Sequence, residues 1–409
     1  MDRYLCDYFD DDRPVRHVTK SALIQARKQL SYDAFIELNH HFVENLYDSR
    51  SKALKRWHGF HVCAVDGSQL RLPIIVPELQ QTFGCQSGVA GVVEQTMGLA
   101  SVYYDVLNKI VIDAQLAKTT ESERYQAFVH LGRSQDDDLV VYDRGYNAFW
   151  MYAYHQDLGR SFCMRTLVNR DNLSRDFVQS GQSEAIVTYH PNRISQQPCE
   201  EMNLPDTPIR LRLIRVDLPG ETEVLITNLM DEKRYPAHEF KRLYHLRWGV
   251  EEFYKRLKHH QEVENISGKS VLVVRQDFHA KILCGNLTAA LAIAGHRHLN
   301  QHNKSKPSHK KTYQINFAQA FAKMKQYQAK LWQLGGSALS LFLKDLMLLM
   351  TQYREQVRPD RSFPRKISSS TSAGTGCTTN APCNQWLLLN LPALGASPII
   401  IYVPYNLTY

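Results

Sequence analysis

The feature that most constrains the fold of this 409-residue chain is the order of strand-like and helical patterns between residues 60 and 158. The segment FHVCAVDGSQLRLP predicts a strand that ends at Asp66, a turn at Gly67 and Ser68, and a second strand. MGLASVYYDV and KIVIDAQLA then predict further strands, and SERYQAFVHL predicts a helix. DDDLVVYDRGY is typical of a buried strand that ends in a loop, and NAFWMYAYHQDL of another helix.

Three antiparallel strands followed by helix, strand and helix are the order of a ribonuclease-H-like α/β core. From about residue 160 to 230 four strand-like segments alternate with polar loops that contain glycine and proline. We interpret this region as an all-β insertion. Helical periodicity returns after it, so we expect flanking helices around the α/β core.

Composition favours a soluble protein with an anionic partner. The net charge of +8 at pH 7 makes nucleic acid an expected partner, although a merely basic enzyme would carry the same charge. Eight cysteines without any CxxC pair indicate reduced thiols and argue against a zinc site. The first residues do not resemble a signal peptide, so we expect a cytoplasmic location and no membrane partner.

Two aspartates stand where predicted strands end. Asp66 and Asp143 are each followed by turn-forming residues, and in α/β sheets functional side chains gather at the ends of strands. Taken singly, each aspartate is also ordinary turn chemistry. A second, independent pattern is needed before either aspartate can be assigned to a site.

That pattern is the segment YHLRWGVEEFYKRLK, which predicts one continuous helix. Tyr244, Arg247, Glu251, Tyr254 and Lys258 recur at steps of three or four residues and therefore line one face of it. A solvated amphipathic face is the alternative interpretation. It does not explain why a phenol and cations surround the acid on both sides.

The residue types on this face suit phosphoryl transfer on a nucleic-acid backbone. Mg²⁺ prefers carboxylate oxygens, and two ions about 4 Å apart activate the attacking oxygen and stabilise the leaving one. Arg247 and Lys258 would neutralise phosphates. Trp248 or Tyr254 could stack a displaced base, although packing in the core is the commoner role of such aromatics.

Three motifs together resemble the DDE transposases named after insertion sequence four. They are VDGS at 65–68, YDRGY at 142–146 and the pattern Y-x2-R-x3-E-x6-K that begins at Tyr244. The last spacing is the signature of that family, and its match here is complete. The similarity extends from about residue 19 to 300.

The resemblance implies a cut-and-paste transposase whose substrates are the terminal inverted repeats of the element and a target DNA. It implies that Asp66, Asp143 and Glu251 are catalytic and hold Mg²⁺ or Mn²⁺, with two ions expected. It also implies that DNA is contacted by Tyr244, Arg247, Lys258, Arg144 and Trp248. A dimer on DNA is expected, because two ends must be brought together.

Patterns and resemblance together divide the chain into six segments. They are an N-terminal helical segment, 1–55, interpreted as a truncated DNA-binding region; the first part of the catalytic core, 56–160; the β-rich insertion, 161–235; the glutamate helix and the end of the core, 236–300; a C-terminal helical region, 301–365; and an atypical tail, 366–409. The abrupt change of composition suggests that the tail is a frameshifted or read-through extension without order.

Two other functions remain open at this point. A ribonuclease-H-like nuclease would use the same three acids to cut DNA without joining it. A relic of a transposase would bind DNA and no longer cut it.

Overall fold

The computed structural model describes residues 19–48, 54–73, 76–86, 95–168, 172–218, 220–304 and 313–356. The segment 366–409, interpreted above as an atypical tail, lies outside the described residues. All of the described residues belong to one compact unit, Met1–Val357.

The described residues form eleven strands and twelve α-helices. The strands are β1 (His61–Arg71), β2 (Cys85–Gln86), β3 (Gln95–Asp105), β4 (Ile110–Ala117), β5 (Asp138–Tyr142), β6 (Ser161–Thr166), β7 (Glu184–Tyr189), β8 (Ile209–Leu218), β9 (Glu221–Thr227), β10 (Tyr313–Ile315) and β11 (Arg354–Gln356). The helices are α1 (Lys20–Gln29), α2 (Asp33–Tyr47), α3 (Pro77–Phe83), α4 (Glu123–Leu131), α5 (Phe149–Asp157), α6 (Asn172–Gln179), α7 (Arg193–Glu201), α8 (Ala237–His245), α9 (Trp248–His259), α10 (Val271–Lys304), α11 (Phe317–Gln333) and α12 (Gly336–Gln352).

One mixed sheet runs through the centre of the protein. Within the described part of the chain its order is β2-β3-β1-β5-β6-β9-β8-β7, and β4 also pairs with β3. The pairs β1–β3 and β3–β4 are antiparallel, whereas β1–β5 and β5–β6 are parallel. The predicted alternation of strands and helices from β3 to α5 is therefore confirmed.

The parallel strands β5 and β6 follow from their composition and connections. Every residue of β5, DLVVY, is buried, as expected for a strand covered by other elements on both faces. The helices α4 and α5 precede and follow β5 and supply the crossovers that parallel pairing requires. β5 thereby lies in the middle of the sheet, directly beside β1.

The prediction of a turn at Gly67 and Ser68 is wrong, because β1 is one strand of eleven residues. Its antiparallel pairing with β3 continues without interruption through both residues. Gly67 has a different reason to be a glycine. A Cβ atom there would lie 2.8 Å from Oε1 of Glu123, so the absent side chain permits a close approach between β1 and α4.

The prediction that 161–235 is all-β is also wrong. The segment contains α6 and α7, and its strands do not form a separate sheet, since β9 pairs with β6 and extends the central one. Helix α7 contains Pro198, and a proline at such a position is more typical of a loop than of a helix. The side chain of Asn192 caps this helix together with Ser195, and that capping box compensates for the proline.

The helices predicted between residues 19 and 50 are confirmed as α1 and α2. Residues Val271–Asn300 of α10 are long and apolar enough to cross a membrane by length and composition alone. Half of that stretch is buried inside the protein, where α10 packs against α2 and β4. A core helix explains this hydropathy without a membrane.

Candidate active site

Asp66 lies on β1, and Asp143 lies directly after the neighbouring parallel strand β5. The register of β1 and β5 pairs Ala64 with Val141, and continuing it by two residues brings Asp66 opposite Asp143. Adjacent strands are about 4.8 Å apart, and residues opposite each other point to the same face of the sheet. The two carboxylates therefore share one edge of the site.

The location of Asp66 differs from the prediction. It lies in the middle of β1, and the strand that ends here is β5, whose last residue is Tyr142. Asp143 follows directly and caps the 3-10 helix Arg144–Tyr146, its Oδ1 accepting a hydrogen bond of 2.6 Å from the backbone N–H of Gly145. β5 stops at this point, while β1 continues in its pairing with β3.

The half-buried carboxyl of Asp66 lies in a strongly acidic environment. Burial raises its pKa from the ordinary 3.8 to about 7, while Arg247 and the backbone N–H of Gly67 act against the rise. The negative charges of Asp143 and Glu123 raise the pKa further. A cation placed among these carboxylates would relieve that repulsion.

The predicted single helix from Tyr244 to Lys258 is wrong in detail. Helix α8 ends at His245 and α9 begins at Trp248, with Leu246 and Arg247 between them. Both intervening residues keep right-handed helical dihedral angles, but the turn is tightened by a bond of 3.1 Å from the N–H of Arg247 to the carbonyl of Tyr244. Gly249, just after this turn, lies against the side chain of Val106, so the start of α9 approaches the end of β3 closely.

Tyr254 packs in the core and does not belong to the open face. It is 5% exposed, and its hydroxyl proton is shared between the carbonyl oxygens of Asp66 and Ala100, each 2.9 Å from the hydroxyl oxygen. These two hydrogen bonds hold α9 against β1 and β3. The contacts therefore support a role for Tyr254 in the core. Its hydroxyl also holds the backbone of Asp66 close to α9.

Arg247 connects the third acid to the first. Its Nη2 donates to Oε1 of Glu251 at 3.1 Å, and its charge also acts on Asp66. Arg247 is 8% exposed, and its Nε has no hydrogen-bond partner among the described residues. A buried donor without a partner is costly, and an oxygen-rich ligand would satisfy it.

Tyr244 lies between two guanidinium groups. The guanidinium carbons of Arg165 and Arg247 are 6.0 Å and 5.9 Å from the centre of its ring. The hydroxyl of Tyr244 is buried without a partner in the described part of the chain. Burial raises the pKa of this hydroxyl to about 12, although both arginines lower it. The hydroxyl thus stays protonated as a donor, and a phosphate oxygen suits this combination of a donor and two cations.

The remaining predicted DNA-contact residues lie at the rim of the site. Lys258 is half-buried, and its Nζ donates to the carbonyl of Gln69 at 2.8 Å, beside an open cleft along β1. Trp248 is 37% exposed and stacks near Arg247, whose guanidinium carbon is 5.3 Å from its ring. Arg144 is exposed directly after Asp143.

The sequence analysis missed two residues of the site, Glu123 and Arg165. Glu123 is the first residue of α4, where an acid usually only complements the helix dipole. Arg165 lies on β6, is paired with Glu223, and reaches the ring of Tyr244. Its one signal in the sequence is a lone arginine inside the strand SFCMRT.

The donor chemistry of this edge, rather than its arrangement, suits a divalent cation. The described residues contain no group of three or more His, Cys, Asp or Glu side chains already arranged around a metal position. Asp66 and Asp143 are nevertheless adjacent, and Glu251 is hydrogen-bonded to Arg247, whose charge also acts on Asp66. Carboxylates that repel one another in a half-buried cleft are the donor set that Mg²⁺ or Mn²⁺ prefers.

The structure thus places Asp66 on a central strand and Asp143 directly after the neighbouring one, and the facing helix α9 carries a third acid, Glu251. The sequence profile of the family described as Transposase DDE domain matches residues 49–287, more than half of the chain. The chain therefore belongs to the DDE transposase family.

Two individual proteins are similar to it. Transposase InsG for insertion sequence element IS4, from Escherichia coli (strain K12), is 20% identical over 354 residues, which cover 86% of this chain and 76% of that protein. The cryo-EM structure of the piggyBac transposase synaptic complex with hairpin DNA aligns with a TM-score of 0.38 and 9% identity. That alignment covers 82% of this chain and 65% of the other, so this chain spans less than two thirds of its length.

Proposed function

We propose that this transposase cuts DNA strands at the ends of an insertion sequence and joins the freed 3′-hydroxyl to target DNA. The observation that carries the proposal is the pair of Asp66, on β1, and Asp143, directly after the adjacent strand β5, with Glu251 linked to Asp66 through Arg247. Membership of the DDE transposase family supports it. The terminal inverted repeats of the element and a target DNA are the proposed substrates.

The three carboxylates of Asp66, Asp143 and Glu251 are the proposed ligands of Mg²⁺ or Mn²⁺, with two ions expected. Bound between the carboxylates, such ions supply Lewis-acid activation of the attacking oxygen and charge for the leaving one. The chain itself fixes the donors, since Asp143 is held by the N–H of Gly145 and the backbone of Asp66 by Tyr254. Pre-positioned carboxylates need little reorganisation when the cations bind.

The DNA backbone is the proposed ligand of the unpartnered donors. The hydroxyl of Tyr244 and Nε of Arg247 are buried and lack partners among the described residues, so a phosphate oxygen would satisfy both. Lys258 and the exposed Arg144 would add positive charge along the same strand. Trp248 is exposed enough to stack a base that has left the duplex.

We propose a ribonuclease-H-like core for this chain. Its support is the strand order β4-β3-β1-β5-β6, antiparallel on one side of β1 and parallel on the other, with α4 and α5 between strands. In the proposed division the core comprises 56–160 and 236–300. Because β6 pairs in parallel with β5, we assign it to the core as well, and the inserted region then begins after Thr166.

The proposed assembly is a dimer on DNA, because joining a mobile segment needs both of its ends together. The proposed location is the cytoplasm of a bacterium, because chromosome and plasmids are accessible there to an enzyme that cuts and joins DNA. No described helix requires a membrane for its packing, since the one apolar candidate is half-buried.

The test uses the DNA that flanks the gene. Inverted repeats found there are made as duplexes with a free 3′-hydroxyl and incubated with the protein, a supercoiled plasmid and Mg²⁺. The proposal predicts plasmid joined to the repeat ends. A nuclease without strand transfer would give fragments and no joined product. An inactive relic of a transposase would bind the DNA, as a gel shift shows, but would give neither fragments nor joined product.

A further inference from the structure

Glu123 brings a fourth carboxylate to the site. It is the first residue of α4, and its Oε1 lies 2.8 Å from the position that a Cβ of Gly67 would occupy. The carboxylate therefore rests on the backbone immediately after Asp66. An acid that only complemented the helix dipole would stay near the N–H groups of its own helix and would not need a glycine on the facing strand.

Contacts at both ends of α4 fix this position. Next to Glu123, Nε of Arg124 donates to the carbonyl of Gly145 at 2.6 Å, which ties the helix to the turn that follows Asp143. At the other end the buried ring of His130 bonds to Asp113 at 2.6 Å and to Ser101 at 3.0 Å. The helix is thus anchored to β3, β4 and the turn after β5.

A second observation points into the same space. Tyr146 is 1% exposed, and its hydroxyl has no hydrogen-bond partner among the described residues. Burial raises the pKa of this hydroxyl, and the negative charges of Glu123, Asp66 and Asp143 raise it further. This buried hydroxyl lies in the turn that Asp143 caps, and a ligand or the water that a ligand carries would supply the partner that no described residue provides.

We propose that Glu123 is a fourth acidic residue of the metal site, and that its carboxylate binds the divalent cation beside Asp66 and Asp143, directly or through a water. The inference rests on the proposed function, because it adds a residue to the same ion-binding edge. Glu123 is open to solvent on one side, so it can approach a cation without rearrangement of the sheet. Neither the sequence motifs nor the spacing of the three acids indicates it.

The test is Mn²⁺ binding to the full chain without DNA, measured by electron paramagnetic resonance of the free ion. Glu123→Gln keeps the shape of the side chain and removes its charge. Glu121→Gln, at an exposed glutamate two residues earlier, is the matched control. Asp66→Asn reports on the proposed metal site itself.

The inference predicts that Glu123→Gln weakens Mn²⁺ binding by at least about tenfold. Glu121→Gln should bind like the unchanged protein, and Glu123→Asp should bind more tightly than Glu123→Gln. If Asp66→Asn loses the ion while Glu123→Gln retains it, this inference is wrong and the proposed function stands. If Asp66→Asn and Glu123→Gln both bind Mn²⁺ normally, the proposed metal site is wrong and this inference falls with it.

Discussion

Replacing Asp66 by asparagine should stabilise the folded protein at alkaline pH when divalent cations are absent. Burial, with the charges of Asp143 and Glu123, raises the pKa of this carboxyl to about 7 against the pull of Arg247. The folded state therefore retains a proton that the unfolded state has lost, so stability falls as pH rises from about 4 to about 7. The rise of this pKa from 3.8 to about 7 corresponds to a loss of at most about 4 kcal/mol in the free energy of unfolding, and the loss is complete above about pH 7.

The assay is urea unfolding in a chelator at about pH 4.5 and about pH 8.5, comparing the free energies of unfolding of Asp66→Asn and the unchanged protein. The variant should be the more stable one at the higher pH, and the difference should shrink at the lower pH. Asp206→Asn, at an exposed aspartate, is the control and should show no such dependence. Equal stability of Asp66→Asn and the unchanged protein at about pH 8.5 would refute the reasoning.

Three further predictions follow from individual side chains. Tyr244→Phe should leave the free energy of unfolding unchanged, because the lost hydroxyl has no partner among the described residues, but should weaken DNA binding about tenfold in a gel-shift titration. Lower stability with normal binding would count against this role. Tyr254→Phe should lower the free energy of unfolding in urea by about 0.5–1.5 kcal/mol, since it removes the hydrogen bonding of a buried hydroxyl to the carbonyls of Asp66 and Ala100, and an unchanged midpoint would contradict it. Gly67→Ala should displace the carboxylate of Glu123 and weaken Mn²⁺ binding; the same loss in a Glu123→Ala background would show that the glycine acts in another way.

The sequence predicted those parts of the fold that depend on local patterns. β5 is a short run of apolar residues buried on both faces, and Asp143 follows it at the strand end as expected. Asp66 was predicted as a candidate for the wrong local reason. Gly67 suggested a turn, whereas it is a glycine because Glu123 approaches β1 from another element, and no local pattern contains that information.

Long-range packing also explains the other misses. The helix that carries Glu251 begins only at Trp248, because the chain tightens before it. The one poor helix former in YHLRWGVEE, Gly249, lies inside the new helix and does not mark the break. Arg165 reaches Tyr244 only once β6 lies beside the core. Such contacts join residues far apart in the chain, so they become visible when the sheet order is known.

The most direct test of the central claim separates DNA binding from chemistry in Asp66→Asn, Asp143→Asn and Glu251→Gln. Each variant is titrated with duplexes of the flanking inverted repeats, and strand joining to a plasmid in Mg²⁺ is measured on the same preparations. The account predicts that all three variants bind the repeats and that joining falls by a factor of at least about 10³ in each. Joining by Glu251→Gln at the rate of the unchanged protein would contradict the account.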